Sequence, residues 1–190
     1  MEMHLVHWNL DVGKNLTEAV QKDTRAALEV LGVHFKIGKT NVKFNDLFEA
    51  MKKVQKHGNT SNIYNGIRLS DLLPSNIDSF YRYKGSLTTP GCNEVVMWTV
   101  FKEQIEIDEE QMQIMREIKY DHNGKEEFMY NNYREVQLEN GRKIIDISLP
   151  GIIIKTDDSS SGQISCQMHF NASSRWMLFI NFAVFMYLKI

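Results

Sequence analysis

Two neighbouring hydroxyl residues, Thr88 and Thr89, stand directly before Pro90-Gly91, and apolar Leu87 precedes them. Proline and glycine interrupt regular structure, so both hydroxyls are expected at a turn. Pockets for small ligands are built from an apolar wall with a few placed polar groups, which this stretch could supply. On chemistry alone, however, an ordinary turn is the simpler interpretation.

A second group with possible chemistry lies at the beginning of the chain, where residues 2–8 alternate as in a strand. A metal-bound histidine usually donates its second ring N–H to a carboxylate or carbonyl, and Glu2 is the candidate acceptor for His4. The alternation predicts two faces, one with Glu2, His4, Val6 and Trp8, the other with Met3, Leu5 and His7. The alternative is two histidines on a half-buried strand, because one histidine is not a zinc site.

Elements that could position these residues follow from hydrophobic periodicity and stop signals. Residues 41–57 predict a helix with a buried stripe that includes Phe44 and Phe48, and Asp108–Gln111 resembles a capping box at the start of another helix. Polar composition predicts loops at 10–24 and 119–131. Strands are predicted at 28–37, 80–84, 94–101 and 143–147.

The composition limits the class of protein. The 190 residues are one domain's length, and 43% hydrophobic and 24% charged residues are typical of a soluble globular protein. A net charge of −2 gives no indication of a nucleic-acid partner. Two cysteines, Cys92 and Cys166, are too few for a disulfide scaffold, and no signal peptide precedes the first strand.

The last part of the sequence changes character. Residues 151–175 form a polar spacer, and 176–190 are strongly apolar but short for a membrane-spanning helix. Small residues at 159–162, the spacer and the apolar tail are typical of a glycosylphosphatidylinositol attachment signal. The prediction is a lipid-anchored protein on the outer cell surface. A short membrane anchor and a tail of non-homologous sequence are the alternatives.

Several landmarks occur together in one order: Glu2-Met-His4-Leu-Val-His7-Trp8-Asn9, Val30-Leu-Gly-Val33, Leu72-Leu-Pro74, Tyr83-x-Gly85-Ser-Leu-Thr-Thr-Pro90, Trp98 and Asn132-Tyr-Arg134. In this order they resemble the α-class carbonic anhydrases, zinc enzymes that hydrate carbon dioxide. The resemblance covers about residues 1–150 as a partial domain. It lacks the family's upstream portion, which carries a His-x-His pair, so the chain is expected to be the C-terminal part of that domain.

The resemblance implies a mixed α/β, mainly β fold: part of a large, mostly antiparallel twisted sheet with peripheral helices. It also implies Zn²⁺ as cofactor, held by three histidines with water in the fourth position; carbonic anhydrase is the standard example of such a site. Zinc lowers the pKa of that water so that hydroxide exists at neutral pH. The implied reaction is reversible hydration of carbon dioxide to bicarbonate and a proton.

Roles for individual residues are likewise implied by the resemblance. His4 would be the third zinc ligand, and Thr88 would accept a hydrogen bond that aims the hydroxide at carbon dioxide. Thr89 would contact bicarbonate at the rim, and Arg134 would lie behind the sheet, although a surface arginine fits the sequence equally. The apolar wall for the substrate would consist of Val6, Val30, Leu87 and Trp98. Secreted members pair the cysteine at position 92 with an upstream cysteine.

Three hypotheses about function follow. The first is a zinc lyase whose activity in this chain alone is impaired, since His7, His34, His57, His122 and His169 match no ligand position. The second is a catalytically silent module that binds a partner at the cell surface. The third is a truncated product without a stable fold. Retention of His4, Thr88, Thr89 and Trp98 favours descent from an active enzyme.

Overall fold

The structure is a computed structural model that describes residues 1–22, 24, 26–63, 67–130 and 132–148, and the backbone of 151–155 and 176–179. Its centre is an eight-stranded sheet, which confirms the predicted mainly β fold class. The strands are β1 (Glu2–Asn9), β2 (Leu28–Ile37), β3 (Phe80–Gly85), β4 (Val96–Phe101), β5 (Ile105–Ile107), β8 (Ile144–Ser148), β9 (Gly151–Lys155) and β10 (Trp176–Phe179); β6 (Lys119–His122) and β7 (Lys125–Phe128) form a separate hairpin.

The strand order is β10-β1-β2-β4-β3-β8-β9, and β5 pairs with the far end of β2. Strand β2 runs parallel to β4 and β5, whereas the other neighbours in this sheet are antiparallel. The sheet is therefore mixed but mainly antiparallel. Strands β2 and β4 lie in its middle and are rich in β-branched and aromatic residues, which suit a pleated surface buried on both sides.

Among the described residues, three α-helices accompany the sheet: α1 (Leu16–Gln21), α2 (Asn45–Lys53) and α3 (Glu109–Arg116). The predicted capping box is present at α3, where Asp108 accepts from the backbone of Gln111 and the Gln111 side chain accepts in return. Helix α2 is shorter than predicted, because a 3-10 turn at Val42–Phe44 leads into it. Short 3-10 turns are common at helix ends.

Two polar stretches predicted as loops contain regular structure. Within 10–24, Asn15 accepts a hydrogen bond from the Glu18 backbone and so begins α1, whose Ala19 is fully buried. Within 119–131, β6 and β7 pair around Asn123 and Gly124, both at positive φ, as a two-residue hairpin turn requires. In both cases a local cap or turn outweighs the polar composition.

The two faces of the sheet bury separate clusters. The helix-covered face packs against α2 and α3, and its buried residues are Met3, Leu5, Val33, Phe35, Phe44, Leu47, Phe48, Met51, Leu72, Phe80, Phe101, Ile105, Ile107, Met112 and Met115. The opposite face, here called the His4 face, buries Trp8, Ala19, Ala27, Leu28, Val30, Val95, Val96 and Trp98. The predicted stripe of α2 is core packing, with Phe44 fully buried.

The outer edge of β1 pairs with β10 through residues 6–9, with Val6 opposite Phe179 and Asn9 opposite Trp176. Most of the predicted spacer and tail, at 156–175 and 180–190, lies outside the described residues, as does Cys166. The lipid-anchor signal accordingly stays a prediction. Within the part of the chain that is described, no helix is both long and apolar enough to cross a membrane.

Candidate active site

The register of the first two strands places His4 in the interior of the His4 face. Strands β1 and β2 pair with Glu2 opposite His34 and His4 opposite Gly32. Side chains at alternate positions share a face, so Glu2 and His4 lie on the same side of the sheet. Only 5% of His4 is exposed, and its Nε2 contacts Oε1 of Glu2. The Glu2 carboxylate, which the sequence predicts as the acceptor for His4, therefore lies beside this histidine.

Glu2 is held in its charged form by its two histidine neighbours. Burial by itself raises the pKa of the carboxyl, but hydrogen bonds from His34 and His4 outweigh burial and bring the pKa to about 2. The Nε2 of His34 is 3.2 Å from Oε2 of Glu2. An ionised carboxylate only accepts hydrogen bonds, so Glu2 favours a proton on the facing nitrogen of each histidine.

Trp98 of β4 connects His4 to the loop that carries the two threonines. Its ring meets the His4 ring edge-on, with 4.8 Å between centroids and 72° between planes. Its Nε1 donates to the Ser86 carbonyl over 3.0 Å. Gly85 allows this approach, because a Cβ there would lie 2.8 Å from Cδ1 of Trp98. The buried Trp98 ring thus holds the start of the loop, at Ser86, next to His4.

The loop itself, residues 86–95, is closed by hydrogen bonds at its base and tip. Leu87 N donates to the Asn93 carbonyl and Cys92 N to the Thr89 carbonyl, each over 3.0 Å. Positive φ values at Gly91 and Cys92 complete the turn. Thr88 and Thr89 lie half-buried within it. The predicted turn is thus confirmed, whereas the role of the two hydroxyls stays a prediction.

Arg134 fastens this loop from the segment that follows the β6–β7 hairpin. Its Nη1 donates to Oγ of Ser86 over 2.6 Å and to the Leu87 carbonyl over 3.3 Å. Sequence alone could not separate an internal arginine from a surface one. The contacts make Arg134 a support of the threonine loop rather than a solvated surface charge.

The four apolar residues predicted to face a substrate belong to one cluster. Val30 is 2% and Trp98 6% exposed, and the half-buried Val6 and Leu87 pack against the same group. Val30 lies opposite Val6 on one side and Trp98 on the other. The His4 face therefore presents a continuous apolar wall beside its one buried histidine.

The structure does not assemble a full set of metal ligands from the residues that it describes. Among the described residues, no three His, Cys, Asp or Glu side chains gather in a way that could hold a metal ion. His7 lies on the opposite face from His4, as the alternation predicts, and stands directly opposite Glu29 in the β1–β2 ladder. A cleft of about 560 Å³ lies between α2 and α3, and none of the predicted site residues lines it.

Sequence reasoning missed the contact of His34 with Glu2. Matching individual positions to the family pattern left His34 without a role. The signal that could have found it is strand register: once β1 and β2 are aligned antiparallel, residues directly opposite each other share a face. His34 is then the cross-strand neighbour of Glu2.

Comparison with known proteins accords with this geometry. The family model for eukaryotic-type carbonic anhydrases matches residues 1–148. Human carbonic anhydrase 12 is 35% identical over 141 residues, covering 72% of this chain and 38% of that protein. Mouse carbonic anhydrase 6 is 34% identical over 146 residues, covering 76% and 44%, and rat carbonic anhydrase 4 is 32% identical over 169 residues, covering 82% and 53%.

The chain thus spans about two fifths to one half of the length of these curated relatives. The match includes β1 with His4, the threonine loop and Arg134, which are parts of the candidate site described above. The chain belongs to the eukaryotic-type carbonic anhydrase family.

Proposed function

We propose that this chain contributes the substrate-facing part of a centre for reversible hydration of carbon dioxide to bicarbonate and a proton. The observation that carries the proposal is a buried histidine, His4, held by a charged carboxylate and flanked by an apolar wall. Carbon dioxide is small and carries no net charge or dipole, so an apolar wall next to a few polar groups suits it. Family membership supports the same reaction class.

The residues described fit one ligand position of the family's zinc site, not the whole site. Catalytic zinc of this type takes three protein ligands and leaves a fourth position open. His4, with Glu2 on its Nε2, has the carboxylate partner that metal-bound histidines usually have. No second and third ligand join it among the described residues. We therefore propose that this chain alone is an impaired enzyme.

Each of the other predicted site residues has a proposed role that follows from its own position. Val6, Val30, Leu87 and Trp98 would exclude water from the place where carbon dioxide sits. The Thr88 hydroxyl would accept a hydrogen bond from the attacking oxygen and so orient it, which is a positioning effect. Thr89, in the same turn, would contact the bicarbonate product at the rim.

The test compares the 190-residue chain with a fusion that places the His-x-His portion of a full-length relative before Met1. We expect substoichiometric zinc and a background rate for the chain alone. The fusion should bind one zinc and hydrate carbon dioxide in stopped-flow assays with sulfonamide sensitivity. His4→Ala in the fusion should abolish zinc binding, and Thr88→Ala should lower the rate while zinc remains bound.

Two outcomes would overturn the proposal. Stoichiometric zinc and a sulfonamide-sensitive rate in the chain alone would show that other groups complete the site. A folded fusion that binds zinc equally well with and without His4 would remove His4 from the site. A fusion that binds zinc without any hydration would favour the second candidate, a silent carbonic-anhydrase-like binding module. The lack of three gathered ligands among the described residues also favours this candidate.

We also propose display on the outer cell surface through a lipid anchor, on the basis of the small residues at 159–162 and the apolar tail at 176–190. Cleavage of such a signal would remove β10, so an anchored mature protein would lack the β10 partner of residues 6–9. Release from cells by a phosphatidylinositol-specific phospholipase tests the anchor. Retention after treatment would favour a short membrane anchor instead.

A further inference from the structure

Glu2 has both carboxylate oxygens engaged, each by a different histidine. Oε1 contacts Nε2 of His4, and Oε2 lies 3.2 Å from Nε2 of His34. The three side chains lie on one face because Glu2 and His34 are directly opposite each other in the β1–β2 ladder. The family match assigns no role to His34, so this second contact is a separate feature of the present chain.

The two histidines differ in their surroundings. The side chain of His4 is 4% exposed, whereas that of His34 is 41% exposed, and the Glu2 side chain between them is 23% exposed. The residue opposite His4 on β2 is Gly32, which has no side chain. No β2 side chain therefore stands between His4 and His34. His34 is thus the more exposed of the two histidines that contact the Glu2 carboxylate.

A carboxylate with a single partner is poorly fixed, because the terminal torsion of glutamate is broad and roughly two-fold. Rotation of the Glu2 carboxylate would move an oxygen away from Nε2 of His4. A donor on the second oxygen opposes this rotation. His34 is placed to restrain the Glu2 carboxylate, and it does so more firmly than a water molecule bound to an exposed oxygen would.

We propose that His34 is a positioning residue: by holding Oε2 of Glu2, it keeps Oε1 on His4 and fixes His4 in the tautomer with the proton on Nε2. The hydrogen bond made by one ring nitrogen sets which nitrogen carries the proton. His4 then presents Nδ1 as its unprotonated nitrogen, the form in which imidazole binds metals. Only this last consequence rests on the proposed function; the tautomer does not.

The experiment measures the imidazole ¹⁵N and ¹H correlations of His4 in the ¹⁵N-labelled 190-residue chain near pH 7.5. The variants are His34→Gln and His34→Asn. A glutamine amide N–H reaches about as far as histidine Nε2, whereas the asparagine amide corresponds to Nδ1 and falls short of Glu2. Both variants have the same donor chemistry, so they differ only in reach.

We expect the wild-type chain and His34→Gln to show one tautomer with the proton on Nε2. His34→Asn should lose this pattern, with the two ring ¹⁵N shifts of His4 moving towards each other as the tautomers mix. His57→Asn, at an exposed histidine away from Glu2, is the matched control and should leave His4 unchanged. Far-ultraviolet circular dichroism confirms that each variant is folded.

A single Nε2–H tautomer in folded His34→Asn would overturn the proposal, as would equal mixing in His34→Gln and His34→Asn. If His34→Asn does not fold, His34→Phe and His34→Gln provide the same contrast of absent and present donor. The measurement needs no metal. Failure of zinc binding in the fusion would therefore leave this result standing, and the reverse also holds.

Discussion

The two faces of the sheet are built on different principles. The helix-covered face is an aromatic core in which Phe44 packs against Phe35 and Phe48 with ring centroids 5.6 and 6.0 Å apart. The His4 face is also buried, but an ionised carboxylate and a histidine stand within its apolar surroundings. The Glu2 carboxylate is engaged by the two histidines beside it.

This difference indicates that the helix-covered face mainly stabilises the fold, whereas the His4 face carries the polar groups suited to chemistry. Losing an apolar side chain from the helix-covered face removes burial that nothing else replaces. Losing a group from the His4 face disturbs a small network whose members depend on one another. Stability measurements should therefore separate the two faces by size of effect and by dependence on pH.

The largest expected effect is on the helix-covered face. Phe44→Ala should lower the free energy of unfolding by about 3–5 kcal/mol, because it empties a fully buried aromatic site. Val42→Ala is the control: Val42 is 71% exposed, and its loss should cost less than about 0.5 kcal/mol. Urea unfolding followed by circular dichroism measures both. Equal effects would contradict the assignment of this face as the core.

The next effect belongs to the His4 face and depends on pH. The pKa of Glu2 is about 2 in the folded chain against 4.5 for a free side chain. The ionised form is therefore favoured by folding, and its contribution is fully present above pH 4.5 and lost as pH falls towards 2. The contribution is on the order of 3 kcal/mol at about 1.4 kcal/mol per pKa unit.

Urea unfolding between pH 6 and pH 2.5 tests this linkage with Glu2→Gln. The difference in unfolding free energy between wild type and Glu2→Gln should shrink as the pH falls through this range. Glu135→Gln, on an exposed segment, controls for the loss of one negative charge. A difference for Glu2→Gln that stays constant with pH would show that its interactions with the histidines add nothing.

A smaller effect is expected for Trp98→Phe. The variant removes the donor to the Ser86 carbonyl and should cost about 1–3 kcal/mol, the range for a buried acceptor left without its partner. It should also move the ring proton shifts of His4, because the two rings are in contact. Met97→Leu, the half-buried neighbour on the other face, should leave the His4 shifts unchanged. If the His4 shifts in Trp98→Phe are as unchanged as those in Met97→Leu, the contact between the Trp98 and His4 rings is contradicted.

The smallest effect concerns His7, which lies on the face opposite His4. Burial lowers the pKa of His7, partly offset by neighbouring Glu29, so the folded chain favours the neutral ring. The unfolded chain then binds more protons below pH 6.5, and stability should fall as the pH drops through this value. An NMR titration should give a pKa below 6.5, and the pH slope should be absent in His7→Phe. A pKa above 6.5 would contradict the burial argument.

Much of this structure follows from local sequence patterns. The bounds of β2 agree with the prediction, since Gly38 ends its apolar run, and the capping box at Asp108 marks the start of α3. Helix α1 could not be predicted because six residues give too little periodicity, and its stability depends on the Asn15 cap and on Ala19. The contact between His34 and Glu2 could not be predicted because it needs the register of two strands.

The pairing of β10 with β1 has a consequence for how the chain is made. It joins residues 6–9 to residues 176–179, so β1 gains this neighbour only after the residues between them have been synthesised. Until then residues 6–9 of β1 lack this partner, and strand edges without a partner recruit strands from other molecules. Domains form as their residues emerge, and late pairings of this kind extend the period of exposure. The yield of folded protein should therefore depend on chaperone supply during synthesis more strongly than the stability of the finished fold suggests.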